Sequence, residues 1–138
     1  MTYLVQGNPL LGFDEPTLVA YFAALNEERY EAVAALFAEE GVLYPPFEEA
    51  VIGRGAIARY LQLEATGMRA EPLKGELLAT QDRERRYRLV GKAKFPLFRV
   101  NVAWQFGLNP ADQITFVKVD LLATLEELLS YQPLRQQR

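Results

Sequence analysis

Apolar positions along the chain change period partway through, from helical to alternating. Leu18, Tyr21, Phe22 and Leu25 recur at helical spacing, which predicts an amphipathic helix with Asp14 as its cap and Pro16 in its first turn. After a polar break at 26–29, Tyr30, Val33, Leu36 and Phe37 share a second helical face, with Gly41 as the expected stop. Val42 to Tyr44 and Ala50 to Ile52 then read as the two short strands of a hairpin, stopped by Pro45-Pro46 and by Gly53. A third helix starting at Gly55 turns Ile57, Tyr60, Leu61 and Ala65 inward and ends at Gly67. From Met68 to Leu122 the period becomes two. Tyr87, Leu89, Gly91, Ala93, Phe95 and Leu97 fall on one face, and Arg86, Arg88, Lys92 and Lys94 on the other. The next segment sets Val100, Val102, Trp104, Phe106 and Leu108 against Asn101 and Gln105. Turn chemistry at 109–112 separates it from a last strand, where Thr115, Val117, Val119 and Leu121 alternate with Phe116, Lys118 and Asp120.

The ends read differently. Gly7, Asn8, Pro9 and Gly12 interrupt the apolar start, which predicts an irregular packed arm; Leu125, Leu128 and Leu129 predict a closing helix, and 132–138 a frayed tail. Helices first, then a hairpin and helix, then a long meander: this order predicts an α+β fold with the helices on one face of a curved antiparallel sheet. Such a sheet coils into a cone whose apolar centre is the expected ligand site.

Composition narrows the chemistry. A chain of 138 residues, half of them hydrophobic, is sized for one domain with its own core. It contains no cysteine and no histidine, which removes disulfides, thiol nucleophiles, Ser-His couples and metal sites with sulfur or imidazole ligands. The net charge of −3 repels phosphate backbones, so nucleic acid is not an expected partner. No apolar run approaches the ~18 residues of a membrane span. No basic residue precedes the apolar start as in a secretory signal, and a cytoplasmic location is expected.

Several strings resemble the C-terminal domain of orange carotenoid proteins, a branch of the nuclear transport factor 2-like superfamily. They are Thr17-Leu18-Val19-Ala20-Tyr21-Phe22, Pro45-Pro46-Phe47, Ile52-Gly53-Arg54, Asn101-Val102-Ala103-Trp104, Leu108-Asn109-Pro110 and Val119-Asp120-Leu121-Leu122-Ala123. The resemblance implies a nuclear transport factor 2-like domain over 14–131, between an arm at 1–13 and a tail at 132–138. It implies non-catalytic binding of a ketocarotenoid, such as echinenone or canthaxanthin, for carriage, transfer or photoprotection in a cyanobacterial setting. In that family a helix tyrosine and a strand tryptophan hydrogen-bond the keto oxygen of the carotenoid ring, and the matching positions here are Tyr21 and Trp104. A phenol and an indole are uncharged donors, suited to a neutral ketone in an apolar hollow. Leu25, Ile52, Ala65, Met68, Ala93, Phe95, Leu97, Val102 and Val119 are the expected wall. The expected partners are a second copy joined through the sheet and a helical carotenoid-domain protein.

The chain departs from the family at two points: Leu97 stands in Pro96-Leu97-Phe98 where relatives have tryptophan, and Ala65 where they often carry cysteine. The family's N-terminal helical domain finds no counterpart, which marks a stand-alone homologue as the expectation. Plainer readings stand beside these. Tyr21 and Trp104 are also ordinary core residues; the basic row is a solvated strand face that resists edge pairing; Phe116 lies either in a dimer sheet or under the arm. The superfamily also contains isomerases, dehydratases and epoxide hydrolases that need a carboxylate inside the cone. Asp120 has the wrong parity for that role, and Glu48, Glu49 and Glu64 are expected to be wet. A dimerisation module with a vestigial cavity is the third alternative.

Overall fold

The computed structural model describes residues 15–122. The elements run α1 (Pro16–Asn26), α2 (Tyr30–Ala35), β1 (Phe37–Tyr44), β2 (Val51–Ile52), α3 (Arg54–Glu64), β3 (Arg69–Gln81), β4 (Glu84–Lys94), β5 (Arg99–Leu108) and β6 (Ile114–Leu122). The strands form one sheet in the order β2-β1-β6-β5-β4-β3, and the three helices pack on one of its faces. The meander from β3 to β6 is antiparallel, as its alternation predicts, while β1 joins β6 in parallel. The expected arm, closing helix and tail lie outside the described residues, as does Asp14.

The second helix is shorter than its apolar spacing predicts. It stops at Ala35, and Phe37 begins a strand. Long-range pairing overrides local propensity here: the Ile114 amide donates to the Leu36 carbonyl at 2.9 Å, and Phe37 registers with Ile114. The register then shifts before Val42 meets Phe116. Gly41 sits in this irregular stretch, where a Cβ would lie 2.9 Å from the Phe37 ring and 3.0 Å from the Ile114 carbonyl. It permits a close approach of two strands and does not end a helix.

The alternation in β4 holds. Tyr87, Leu89, Gly91 and Ala93 are buried, and the basic row takes the opposite face. It fails after Lys94, where the strand ends. The Phe95 amide donates to the Phe98 carbonyl at 2.7 Å, and the two rings stack at 4.7 Å. That tight turn throws Leu97 outward to 94% exposure.

Helix α1 is fixed at both ends. Glu15 caps it by accepting from the Thr17 amide at 2.9 Å, and the same carboxylate pairs with Arg85 of β4 at 3.1 Å. Arg85 also grips Asp112 in the β5–β6 turn, whose carbonyl accepts from the Thr17 hydroxyl. At the other end the Asn26 side chain mimics a strand partner, donating to the Ala70 carbonyl at 2.9 Å and accepting from the Ala70 amide at 2.7 Å. Both bonds are partly buried. Asn26→Ala is therefore expected to cost about 2 kcal/mol of unfolding free energy in urea denaturation; a loss within error of zero would show that the two bonds do not hold α1 on the sheet.

Candidate functional site

Side chains of α1 meet the sheet edge-on. The Tyr21 ring packs against Phe106 at 5.0 Å and Phe22 against Trp104 at 4.9 Å, both near perpendicular. This cluster closes one end of the space between helices and sheet. Beyond it the space stays open as a cavity of about 380 Å³, within the usual range for a small-molecule site. Tyr21 and Trp104 both line it, together with Leu25 of α1, Ala65 and Met68 after α3, Ala93 of β4, Phe95 of the following turn, Val102 of β5 and Val119 of β6.

Two expected wall residues lie elsewhere. Ile52 registers with Val42, one step out of phase with the inward Leu43, and is 66% exposed. Leu97 is carried outward by the turn described above, so Phe98 takes the place at the cavity that alternation assigns to Leu97. The cavity also recruits Tyr60, Leu61 and Glu64 from α3, Leu43, the Pro45-Pro46-Phe47 corner, Glu48, Val100 and Leu121. Val100 and Leu121 carry the same parity as Trp104 and Val119, so that signal was present in the sequence. Nothing local marks Phe98 or Glu48, whose positions depend on turns. Phe47 adopts φ 63°, an uncommon conformation for a bulky residue, and its ring is 91% exposed at the mouth.

Polar groups are graded by depth. Tyr21 and Trp104 are buried, Tyr60 is half-buried, and Glu48 and Glu64 are exposed. Among the described residues no hydrogen bond engages the Tyr21 hydroxyl or the Trp104 indole N–H. Burial alone pushes the Tyr21 phenol far above its ordinary range, so it remains a neutral donor. The Tyr60 phenol is pushed up to about 12 by burial, then by the nearby charges of Glu48 and Glu64. No lysine or arginine lines the cavity among the described residues, and none of them form a group of acidic ligands that could hold a metal ion. No described helix is long and apolar enough to cross a membrane.

Comparison with known proteins places this geometry. The SnoaL-like domain family matches residues 18–82. An orange carotenoid-binding protein of Limnospira maxima is 33% identical over 86% of this chain and 39% of its own length. The structure of the Anabaena (Nostoc) sp. orange carotenoid protein binding canthaxanthin superposes with a TM-score of 0.81, at 33% identity, over 88% of this chain and 41% of that one. An epoxide hydrolase/cyclase-like enzyme of salinomycin pyran ring formation shares the fold with a TM-score of 0.60 at 25% identity, over 78% of this chain and 89% of its own. The chain spans about two fifths of the length of the curated relatives it matches.

The two cavity tyrosines favour the protonated form in the fold, so their stabilising effect is present below the ordinary value of 10.0 and is lost as pH rises above it. Unfolding free energy is expected to fall above pH 10, and less steeply in Tyr21→Phe; equal slopes would mean that the Tyr21 phenol is solvated. The domain is a SnoaL-like, nuclear transport factor 2-like domain homologous to the C-terminal region of the orange carotenoid-binding proteins.

Proposed function

We propose that the domain binds a hydrophobic ligand without transforming it, and that the ligand is a ketocarotenoid whose end ring enters the cavity. The observation that carries this reading is that Tyr21 and Trp104 line one apolar hollow and have no hydrogen-bond partner there among the described residues. Both side chains are buried, yet neither polar atom is sealed from the hollow: among the described residues the sealed side-chain polar atom without a partner is the Tyr30 hydroxyl. A ligand carbonyl placed between the two donors would accept from both without introducing a charge. Apolar contact then sets affinity, at about 25 cal/mol per Å² buried, and the donors set the orientation of the ring.

A ring and the first part of a polyene fit this volume, and the remainder of a long polyene would leave through the mouth past Phe47 and Phe98. Covering that remainder calls for a second protein surface, which fits carriage as a homodimer or transfer to a helical carotenoid-binding partner. The outer sheet face offers apolar area to a second copy around Tyr44 and Phe116, whose rings lie 6.5 Å apart. Catalysis is the weaker reading. Glu48 and Glu64 are exposed at the mouth, whereas proton-transferring carboxylates of this kind are desolvated beside their substrate.

Expression in ketocarotenoid-producing cells is expected to yield a coloured protein, and colourless material alongside a coloured relative would contradict the proposal. Tyr21→Phe and Trp104→Phe are each expected to weaken pigment binding by about fivefold, equivalent to ~1 kcal/mol, and to shift its absorption while leaving the fold intact. Two variants that fold, bind and absorb like the parent would assign both residues to the core alone.

A further inference from the structure

The cavity carries a charge asymmetry that bears on which apolar molecules it accepts. Its deep polar groups, Tyr21 and Trp104, are neutral donors, and the described residues that line it include no cation. Its mouth holds two carboxylates supplied by different elements: Glu48 follows the Pro45-Pro46-Phe47 corner, and Glu64 lies one turn beyond Tyr60 on α3. We propose that Glu48 and Glu64 act as specificity determinants, so that the cavity admits neutral polyenes and lipids and turns away amphiphiles that end in a carboxylate, such as fatty acids. The proposal rests on the reading of this cavity as a hydrophobic ligand site.

The physical case has two parts. An amphiphile that enters tail-first leaves its carboxylate at the mouth, beside two like charges. One that enters head-first is desolvated among apolar walls, where a phenol and an indole offer hydrogen bonds but no opposite charge. Neither orientation is compensated. The Tyr60 hydroxyl also lines the cavity, but a phenol offers a hydrogen bond and no positive charge. Its phenol also registers the local field: after burial, the charges of Glu48 and Glu64 are what hold its proton on. A neutral ketone, alcohol or ester meets none of these penalties. Fatty acids are the commonest amphiphiles that fit a greasy hollow, so this rim keeps the site open for an uncharged occupant.

Trp104 is the sole tryptophan of the chain and lines the cavity, so its fluorescence reports occupancy directly. All-trans-retinoic acid and its methyl ester share one skeleton and differ in charge, and titrating the full chain with each separates charge from shape. The ester is expected to bind about tenfold tighter than the acid at neutral pH and low salt, and added salt is expected to narrow the gap. Glu48→Gln with Glu64→Gln, isosteric changes at exposed positions, is expected to raise affinity for the acid roughly three- to tenfold and to leave the ester within about twofold. Equal affinities for acid and ester in the parent chain would overturn the proposal, as would a gap that the double substitution does not narrow. Quenching by the ester with no discrimination defeats this inference alone, while quenching by neither probe defeats it together with the ligand-site reading.

Discussion

The architecture depends on how α1 is held against the sheet. Its aromatic face meets β5 edge-on, Tyr21 on Phe106 and Phe22 on Trp104, and polar ties at both ends fix its distance from the strands. Perpendicular rings fill one end of the interlayer space solidly. Because α1 is anchored at that end and at Asn26, it cannot tilt to collapse the other. The cavity is what remains. Elsewhere in the core Leu18, Val33, Ile57 and Leu108 are wholly buried, so the hollow is local. Its walls come from both layers, so its shape depends on the whole fold, and a change in how α1 sits would reshape it.

The proposed function rests on the gradient of polarity along that hollow. Neutral donors lie deepest, the half-buried Tyr60 phenol lies midway, and two carboxylates mark the mouth. Orange carotenoid proteins match this chain at about one third identity, and the occupant proposed for the gradient is a long neutral molecule with an oxygen at its leading end. The same gradient also bears on catalysis: acidic groups sit where water reaches them, and the groups that water does not reach do not ionise near neutral pH. The proposed binding and the proposed selection by charge are thus two uses of one arrangement, with depth deciding which residue serves which.

Period and parity carried much of this information in the sequence. Alternation in β4 and β5 assigns Leu89, Ala93, Val102 and Trp104 to the face that the structure buries, and helical spacing does the same for Tyr21 and Leu25. What escaped that reasoning depends on pairing or on turns. Residues 37–41 look helical because their apolar positions fit a helix face, yet the sheet claims them through β6, a strand some seventy residues away in sequence. Leu97 follows the parity of β4 on paper, but the Phe95–Phe98 turn ends the strand first. Ile52 belongs to a two-residue strand, too short for its own pattern to declare a face; the register with Val42 decides it. Among the cavity residues outside the expected wall, Phe98, Glu48 and the Pro45-Pro46-Phe47 corner likewise sit on loops, where no periodicity exists to read.

The claim at the centre is spatial: one ligand oxygen is shared by the Tyr21 hydroxyl and the Trp104 indole at the deep end of an apolar cavity. A crystal structure of the protein loaded with a ketocarotenoid tests it most directly. The expected result is a keto oxygen at hydrogen-bond distance, about 2.7–3.2 Å, from both Tyr21 Oη and Trp104 Nε1. A ring bound outside the cavity, or seated inside it with the oxygen turned away from both donors, would contradict it.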